Sequence, residues 1–357
     1  MTSSGEWDSS EFRDRVQAAL DTFLTEQTTR LAPLGDDASR LLDEARTSVS
    51  GGKRFRAAFC YWGYRAVNPE VVDEDALIRA CAALELLHAS ALVHDDLMDA
   101  SDTRRGRPAT HRQFDADHRA ARWRGSPEQY GAAAAILLGD LLLSWADELL
   151  RRCGLPHEQV SAALDLFDLC RSEVIAGQFL DVSVQARGHA DVDTAMTVLR
   201  YKSAKYSIER PLHVGAALAG GSPETIRALS GFGLPLGEAF QLRDDLLGVF
   251  GDPETTGKPA GDDLIEGKRT VLVALALDAA NREDAALLDR SLGTPLDETR
   301  VQQLRAIIDS SGAHAQVEEV IGHLADRALV ALERSDLDDH ASGVLRDLAS
   351  AATQRLV

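Results

Sequence analysis

A dense group of charged residues follows an apolar stretch in the first third of the chain. Residues 92–108 read LVHDDLMDASDTRRGRP. If the preceding helix continues, Asp95 and Asp99 stand one turn apart on one face, with Asp96 beside them. Because bare carboxylates at this spacing repel each other, the arrangement favours bound Mg²⁺, which prefers hard oxygen ligands completed by water and phosphate. The arginines that follow offer forked donors suited to phosphate oxygens. The alternative is an ordinary solvated, charged helix end.

A second acidic stretch repeats this arrangement. Residues 240–253 read FQLRDDLLGVFGDP, and residues 256–270 read TGKPAGDDLIEGKRT. An apolar helical run again carries paired acids, Asp244 and Asp245, ahead of a loop with Lys258 and Lys268. Two separate helices that each carry paired acids and lead into a cationic loop rarely arise by chance on a protein surface. The simplest interpretation is two carboxylate clusters that face each other across a cavity and hold Mg²⁺ ions bridging to a diphosphate.

The elements that must position these residues are predicted to be almost all helical. No segment shows sustained alternation, and alanine, leucine, glutamate and arginine dominate. The first acidic helix should run from Asp75 to Asp99, with Asp73 or Asp75 as its cap. Residues 104–125 should form a loop plus a short helix. The remaining predicted helices span residues 11–28, 36–50, 54–67, 130–153 and 156–185. A pair of helices is predicted over residues 191–220, joined or kinked at Pro211, and another helix over 223–250, with a start or a bend at Gly231, Gly233 and Pro235. Three or four more are predicted from residue 269 to 357.

Composition narrows the classes of partner. With 357 residues and no linker, we expect a loose N-terminus over residues 1–10 and a single domain over residues 11–357. A net charge of −19 disfavours nucleic acid and anionic membrane surfaces. No apolar run approaches the length of a bilayer span, so no stable membrane anchor is expected. Four cysteines without CxxC spacing indicate reduced core thiols in a cytoplasmic protein.

Five motifs together carry a family resemblance. They are GGKRFR at residues 51–56, the first acidic stretch with its arginines, GQFLD at 177–181, YKSAKY at 201–206 and the second acidic stretch. In this order they resemble the trans (E-type) polyprenyl diphosphate synthase family, and most of all bacterial geranylgeranyl diphosphate synthases. The resemblance implies an all-α isoprenoid synthase-type helical bundle with a central active-site cavity. It also implies a homodimer that condenses isopentenyl diphosphate with allylic diphosphates head to tail.

The same resemblance implies roles for individual residues. The Mg²⁺ ligands would be Asp95, Asp96, Asp99, Asp244 and Asp245, holding three ions with bound diphosphate. The allylic diphosphate would be held by Arg104, Lys202 and Lys258, and isopentenyl diphosphate by Lys53, Arg56, His88 and Arg105, with Lys268 also on the substrate side. Gln241 and Ser203 would stabilise the carbocation. Gln178, Asp181 and Asp263 would support the metal-bound water and the ligands.

Two features bear on the second metal site and on the length of the product. Gly248 stands where many family members carry a third acid, one turn beyond Asp244. The product grows from the acidic cluster along the preceding helix, so Ser90 and Ala91 should set the pocket floor. Their small side chains leave room, and Leu87, one turn further at ~5.4 Å, is the next barrier. We therefore expect a C20 product.

Several alternatives remain open at this stage. The product could be farnesyl diphosphate or a longer chain. The protein could instead be a His-Asp phosphohydrolase, because His94 precedes Asp95 on a helix. It could be a terpene cyclase, although the second acidic site of that class is normally an Asn/Ser/Glu triad. It could also be a non-catalytic subunit of a heteromeric synthase.

Overall fold

A computed structural model describes Trp7 and residues 9–251 and 261–353. The α-helices, in chain order, are α1 (Ser10–Leu31), α2 (Asp36–Ser48), α3 (Phe55–Arg65), α4 (Glu74–Met98), α5 (Thr110–Ala121), α6 (Pro127–Arg151), α7 (His157–Arg187), α8 (Val192–Val198), α9 (Arg210–Leu218), α10 (Pro223–Phe250), α11 (Asp262–Glu266), α12 (Val271–Ala279), α13 (Arg282–Ser291), α14 (Glu298–Ser310), α15 (Ala313–Glu333) and α16 (Asp339–Thr353). A 3₁₀ turn covers Ala32–Leu34, and a π-helical segment covers Leu199–Glu209. The strands β1 (Thr103–Arg104) and β2 (Arg107–Pro108) form an antiparallel hairpin. The all-α prediction is confirmed.

The chain divides into two compact units. The first comprises Met1–Leu164 with Val214–Gly221, and the second comprises Asp165–His213 with Ser222–Val357. The predicted single domain over residues 11–357 stays a prediction. Of the predicted loose N-terminus, residues 1–6 and 8 lie outside the described residues. Trp7 is buried and stacks on Phe55 at a ring-centroid distance of 5.1 Å.

Helix α4 is the central element of the first unit. The Asp73 side chain accepts a hydrogen bond from the Ala76 amide at 2.9 Å, which caps the helix as the sequence indicated. The helix packs against α1, α3 and α6, with most of its side chains buried. Each fully buried leucine contributes roughly 1.5–3 kcal/mol of hydrophobic stabilisation. Gly139 on α6 permits this packing, because a Cβ atom there would lie 2.0 Å from the His94 ring.

The expectation that no apolar run could span a bilayer is wrong for this same helix. By length and composition alone, Glu74–Met98 would qualify as a membrane span. However, 78% of its most apolar window is buried inside the protein, as in the core helix of a folded domain. The sequence expectation missed this helix because Arg79 and Glu85 interrupt the apolar run from Ala76 to Val93.

In the second unit, α10 packs against the π-helical segment and α15. Two glycines let backbones approach the π-helical segment closely. A Cβ atom on Gly177 of α7 would lie 2.4 Å from the Lys202 backbone nitrogen. A Cβ atom on Gly237 of α10 would lie 2.4 Å from the Ala204 carbonyl oxygen. The segment is therefore in direct backbone contact with both helices.

Three sequence expectations need correction here. The join or kink predicted at Pro211 falls in the first turn of α9, which begins at Arg210; the irregularity that the sequence did not indicate is the π-helical winding just before it. Helix α10 runs through Gly231, Gly233 and Pro235 without a new start, so the start is wrong and the bend stays a prediction. Between residues 269 and 353 there are five helices rather than three or four, because polar caps such as Asn281 and Asp297 divide the apolar runs.

Candidate active site

The first acidic motif lies at the carboxyl end of α4. The Asp99 amide donates to the Asp95 carbonyl at 2.8 Å, so these residues are one helical turn apart, as predicted. Asp95 and Asp99 are partly exposed, whereas Asp96 is buried. The Arg104 Nε atom donates to the Asp96 Oδ1 atom at 2.9 Å, and the Arg104 Nη2 atom also contacts this carboxylate. Two residues that were predicted to bind metal and diphosphate therefore bind each other here.

The hairpin explains how the arginines are presented. Arg105 (φ 52°) and Gly106 (φ 73°) form its two-residue turn, and both have the positive φ of a type I′ turn. The Arg105 Nη1 atom donates to the Ser50 carbonyl at 2.9 Å, and its guanidinium lies 3.2 Å from where a Cβ atom on Gly52 would be. The turn thus directs Arg104 to the acidic motif and Arg105 to the GGKRFR loop.

A buried ion pair holds the GGKRFR loop. Arg54 has a left-handed backbone (φ 55°), and its guanidinium donates to Glu85 of α4 at 3.0 Å and to the Val49 carbonyl at 2.7 Å. The other oxygen of Glu85 accepts from the Ala57 amide at 3.2 Å, which completes the first turn of α3. Sequence reasoning placed Arg54 in the GGKRFR motif without giving it a role, and it missed Glu85. The signal was a lone acid inside the apolar run of α4, where a charge needs a partner.

Cationic side chains converge on His88. Burial and then the charges of Arg56, Arg105, Arg104 and Arg54 lower the pKa of His88 well below its ordinary value. Burial and the neighbouring arginines also lower the pKa of Arg105. Of the residues predicted to hold isopentenyl diphosphate, the structure brings Arg56, His88 and Arg105 together. The fourth, Lys53, is exposed in the loop just before α3.

The predicted chain-length residues lie on α4, and their surroundings differ. Ser90 is buried, and its hydroxyl donates to the Gly139 carbonyl of α6 at 2.7 Å. Leu87 is buried, whereas Ala91 is partly exposed. Ser90 is therefore constrained by the helix–helix contact in a way that Ala91 is not.

In the second unit, α7 and the π-helical segment bring together residues of the GQFLD and YKSAKY motifs. The Lys202 Nζ atom donates to the Asp181 Oδ2 atom at 2.5 Å. Gln178 lies one turn before Asp181 and is partly buried, and Ser203 follows Lys202 with partial exposure. Lys202 and Asp181, predicted to bind diphosphate and support metal-bound water, are paired with each other in this structure.

The second acidic motif lies near the carboxyl end of α10. Asp244 is exposed and Asp245 is buried, and the Gln241 amide donates to Asp245 at 2.8 Å. Burial, then the charges of Asp263 and Asp244, raise the pKa of Asp245 to about 8. Gln241 was predicted to stabilise a carbocation, and that role stays a prediction.

The Asp263 carboxylate lies beside Gly248, the position at which the family resemblance implies a third acid. A Cβ atom on Gly248 would lie 2.0 Å from the Asp263 Oδ2 atom, so the space beside this glycine holds the Asp263 carboxylate. The Lys268 Nζ atom donates to Asp263 at 3.3 Å and also contacts Glu266. Lys258 lies outside the described residues.

The carboxylates of the acidic motifs suit Mg²⁺ that is bound together with a diphosphate. Across the described parts of the chain, no group of three or more His, Cys, Asp or Glu side chains is arranged to hold a metal ion. Asp95 nevertheless offers a partly exposed, hard oxygen donor at the end of α4, and Asp99, one turn further on, has both of its carboxylate oxygens below the surface. Mg²⁺ usually keeps several waters and takes one or two carboxylates plus substrate phosphates rather than an all-protein cage. The donor set therefore fits an ion that arrives with a diphosphate.

Comparisons with known proteins agree with these motifs. The family described as polyprenyl synthetase matches residues 39–309. A geranylgeranyl pyrophosphate synthase from Corynebacterium glutamicum, crystallised with isoprenyl diphosphate and magnesium, is 41% identical with a TM-score of 0.94, over 97% of this chain and 99% of that one. A (2E,6E)-farnesyl diphosphate synthase from Mycobacterium tuberculosis is 32% identical over 309 residues, 85% of this chain and 80% of that protein. A geranylfarnesyl diphosphate synthase from Aeropyrum pernix is 32% identical over 302 residues, 84% of this chain and 88% of that protein. Similar chains are thus named for different products.

Proposed function

Because the chain belongs to the polyprenyl synthetase family, it is a transferase that makes prenyl diphosphates, and we propose that its main product is geranylgeranyl diphosphate (C20). The substrates in this proposal are isopentenyl diphosphate and an allylic diphosphate. The observation that carries it is the placement of the Arg105 guanidinium against Ser50 and Gly52 of the GGKRFR loop, where its charge and those of Arg56 and Arg104 lower the pKa of the buried His88. In a chain with a net charge of −19, such a cluster is a site for an anion.

In the proposed reaction the allylic C–O bond breaks first, and its electron pair leaves with the diphosphate. Arg104 and Lys202 stabilise the departing charge through charge-assisted hydrogen bonds. The double bond of isopentenyl diphosphate, held by Arg56 and Arg105, then attacks the allylic carbon. Loss of a proton to the leaving diphosphate restores a double bond. Because His88 has a lowered pKa, its neutral ring can accept or donate a hydrogen bond beside the anion without adding charge.

Asp95, Asp99 and Asp244 would hold Mg²⁺, with Asp96 and Asp245 beside them. Bound Mg²⁺ supplies positive charge that stabilises the leaving diphosphate. Three ions per diphosphate, as the resemblance implies, remain part of the proposal. The pairs Arg104–Asp96 and Lys202–Asp181 hold these cations in place until a diphosphate competes for them.

The C20 product is proposed from the small side chains one turn before Asp95. The sharper test is Ala91→Phe rather than Ser90→Phe, because a ring at Ser90 would also disrupt the contact with α6. We expect Ala91→Phe to shift the product to fifteen carbons or fewer. The exposed Ala133 on α6, changed to Phe, serves as the matched control. An unchanged product from a folded Ala91→Phe variant would refute this assignment.

We further propose a homodimer in the cytoplasm. On α6, Ile136 and Leu137 are 48% and 60% exposed, a side-by-side apolar surface that a second copy could cover. The four cysteines are buried thiols, which suits a reducing compartment. Sedimentation of the wild type and of Leu137→Glu tests assembly: we expect the wild type to be a dimer and the variant to be a monomer.

One incubation tests the function itself. The pure protein receives Mg²⁺, labelled isopentenyl diphosphate and dimethylallyl, geranyl or farnesyl diphosphate, with a chelator control. We expect a labelled C20 product that the chelator abolishes. Inactivity with every primer, from folded protein, would instead indicate a non-catalytic subunit. Phosphate release without C–C bond formation would indicate a hydrolase.

A further inference from the structure

The π-helical segment Leu199–Glu209 is the least usual element of the second unit. π-helical turns are rare and occur frequently at functional sites. This one carries Lys202 and Ser203. Because such winding is not favoured intrinsically, the surrounding side chains must hold it in place.

One face of α7 provides that support. Glu173, Gly177 and Asp181 follow one another at intervals of four residues, so they lie on one side of the helix. At the middle position, Gly177 lets the Lys202 backbone contact α7 directly. At one end Asp181 binds Lys202, and at the other end Glu173 binds Lys205 and Arg210.

Glu173 makes the most extensive of these contacts. Its carboxylate accepts hydrogen bonds from the Lys205 Nζ atom at 2.8 Å and from the Arg210 Nε and Nη2 atoms at 2.7 and 2.9 Å. Burial would raise the pKa of Glu173, but the hydrogen bonds from Arg210 and Lys205 lower it below its ordinary value. The carboxylate is therefore charged at neutral pH.

The network continues to α10. The Arg210 Nη1 atom donates to the His213 Nδ1 atom at 3.0 Å, and the His213 Nε2 atom lies 3.0 Å from the Ser230 hydroxyl. Arg210 and His213 are 7% and 1% exposed, so this end of the segment is fixed in the protein interior. No residue of this network was among the predicted site residues.

We propose that Glu173 is a positioning residue for the allylic diphosphate site. By anchoring Lys205 and Arg210 it maintains the π-helical winding, and that winding places Lys202. Without the carboxylate, the buried Arg210 would lose two hydrogen bonds and the partly buried Lys205 would keep Glu209, 3.7 Å away, so the segment would relax toward α-helical winding. Because π and α turns differ by one residue in hydrogen-bond span, relaxation would redirect the Lys202 side chain. The inference rests on the proposed function, which assigns Lys202 to the diphosphate.

The test measures KM separately for the two substrates. We expect Glu173→Gln to raise the KM for the allylic diphosphate at least tenfold and to leave the KM for isopentenyl diphosphate within twofold. Glu173→Asp, which keeps the charge, should recover part of the loss. The matched control is Asp168→Asn, an acid on the same helix with a local partner, Arg171; it should change neither KM.

A double variant separates positioning from folding. Glu173→Gln with Lys205→Met removes one charge of each sign, so the buried network stays balanced and the protein should fold. We expect it to keep the allylic KM defect. A normal allylic KM in this folded variant, or an equal loss for both substrates, would overturn the inference.

Wild type and Lys202→Ala are assayed in parallel. If the wild type forms no prenyl diphosphate, the proposed function fails. If the wild type is active and Lys202→Ala raises the allylic KM while the Glu173 variants do not, only this inference fails. A normal allylic KM in Lys202→Ala would also overturn it.

Discussion

The two acidic motifs have the same paired acids, but their inner acids are neutralised in opposite ways. Asp96 and Asp245 are each the second acid of a pair, and both are buried. Asp96 accepts hydrogen bonds from Arg104 of the hairpin that follows. Asp245 faces Asp263 and Asp244, and its pKa is raised to about 8, so it is protonated at neutral pH. The segments that follow the two pairs therefore act in opposite directions: Arg104 brings a countercharge to Asp96, whereas Asp263 adds a like charge beside Asp245, whose pKa burial already raises.

The buried inner acids, Asp96 and Asp245, differ in exposure from the outer acids, Asp95, Asp99 and Asp244. Asp95 and Asp99 are partly exposed and Asp244 is exposed. The carboxylates of Asp95 and Asp244 can therefore meet a metal ion from solvent, whereas the oxygens of Asp99 and the inner acids Asp96 and Asp245 lie below the surface. The two classes should respond differently to removal of one charge.

The largest expected effect is the loss of turnover when one of the outer acids is substituted. Asp95→Asn and Asp244→Asn should each lower kcat by on the order of 10²–10³, the range found when one group that stabilises developing charge is lost. Unfolding free energy should change by less than about 1 kcal/mol, because these side chains are accessible to water. Steady-state kinetics and urea titration measure both. Comparable turnover in the variants and wild type would remove these acids from the reaction.

Asp245 should show a stability effect of unusual sign. Its pKa is about 8 when folded and 3.8 ordinarily, so the folded protein binds the extra proton and stability falls as pH rises from about 4 to 8. In chelator, wild type should lose up to about 1.4 kcal/mol per pH unit relative to Asp245→Asn in this window. Urea titrations at pH 5 and 7 provide the comparison. Parallel pH profiles for the two proteins would show that Asp245 is ionised.

Asp96→Asn should be destabilising instead. It leaves Arg104 without its carboxylate. Breaking a buried pair costs about 3–5 kcal/mol, and we expect about 2 kcal/mol here because water reaches part of Arg104. The control is Asp102→Asn, whose partner Arg112 is exposed; it should cost less than about 0.5 kcal/mol. If both variants lose the same small amount, Arg104 does not neutralise Asp96.

Much of the fold and the motif positions could be predicted from the sequence because they depend on local patterns. Helical periodicity and the Asp73 cap located α4, and spacing alone placed Asp95 and Asp99 one turn apart. The π-helical winding could not be predicted, since it depends on Glu173, twenty-six residues before the segment begins. The Arg104–Asp96 pair depends on a type I′ turn. This turn could not be predicted, because its strands show no alternation of apolar residues.

Gly248 offers the smallest and most specific test of the acidic environment around Asp245. Alanine normally stabilises a helix interior by up to about 1 kcal/mol relative to glycine. Here its Cβ atom would lie 2.0 Å from the Asp263 carboxylate, so we expect Gly248→Ala to cost about 1 kcal/mol instead. In an Asp263→Ala background the same substitution should become stabilising, because the obstructing carboxylate is gone. Urea titration of the four proteins gives the coupling energy between positions 248 and 263. The sign reversal is decisive, since a coupling near zero would mean that the Asp263 carboxylate does not lie beside Gly248.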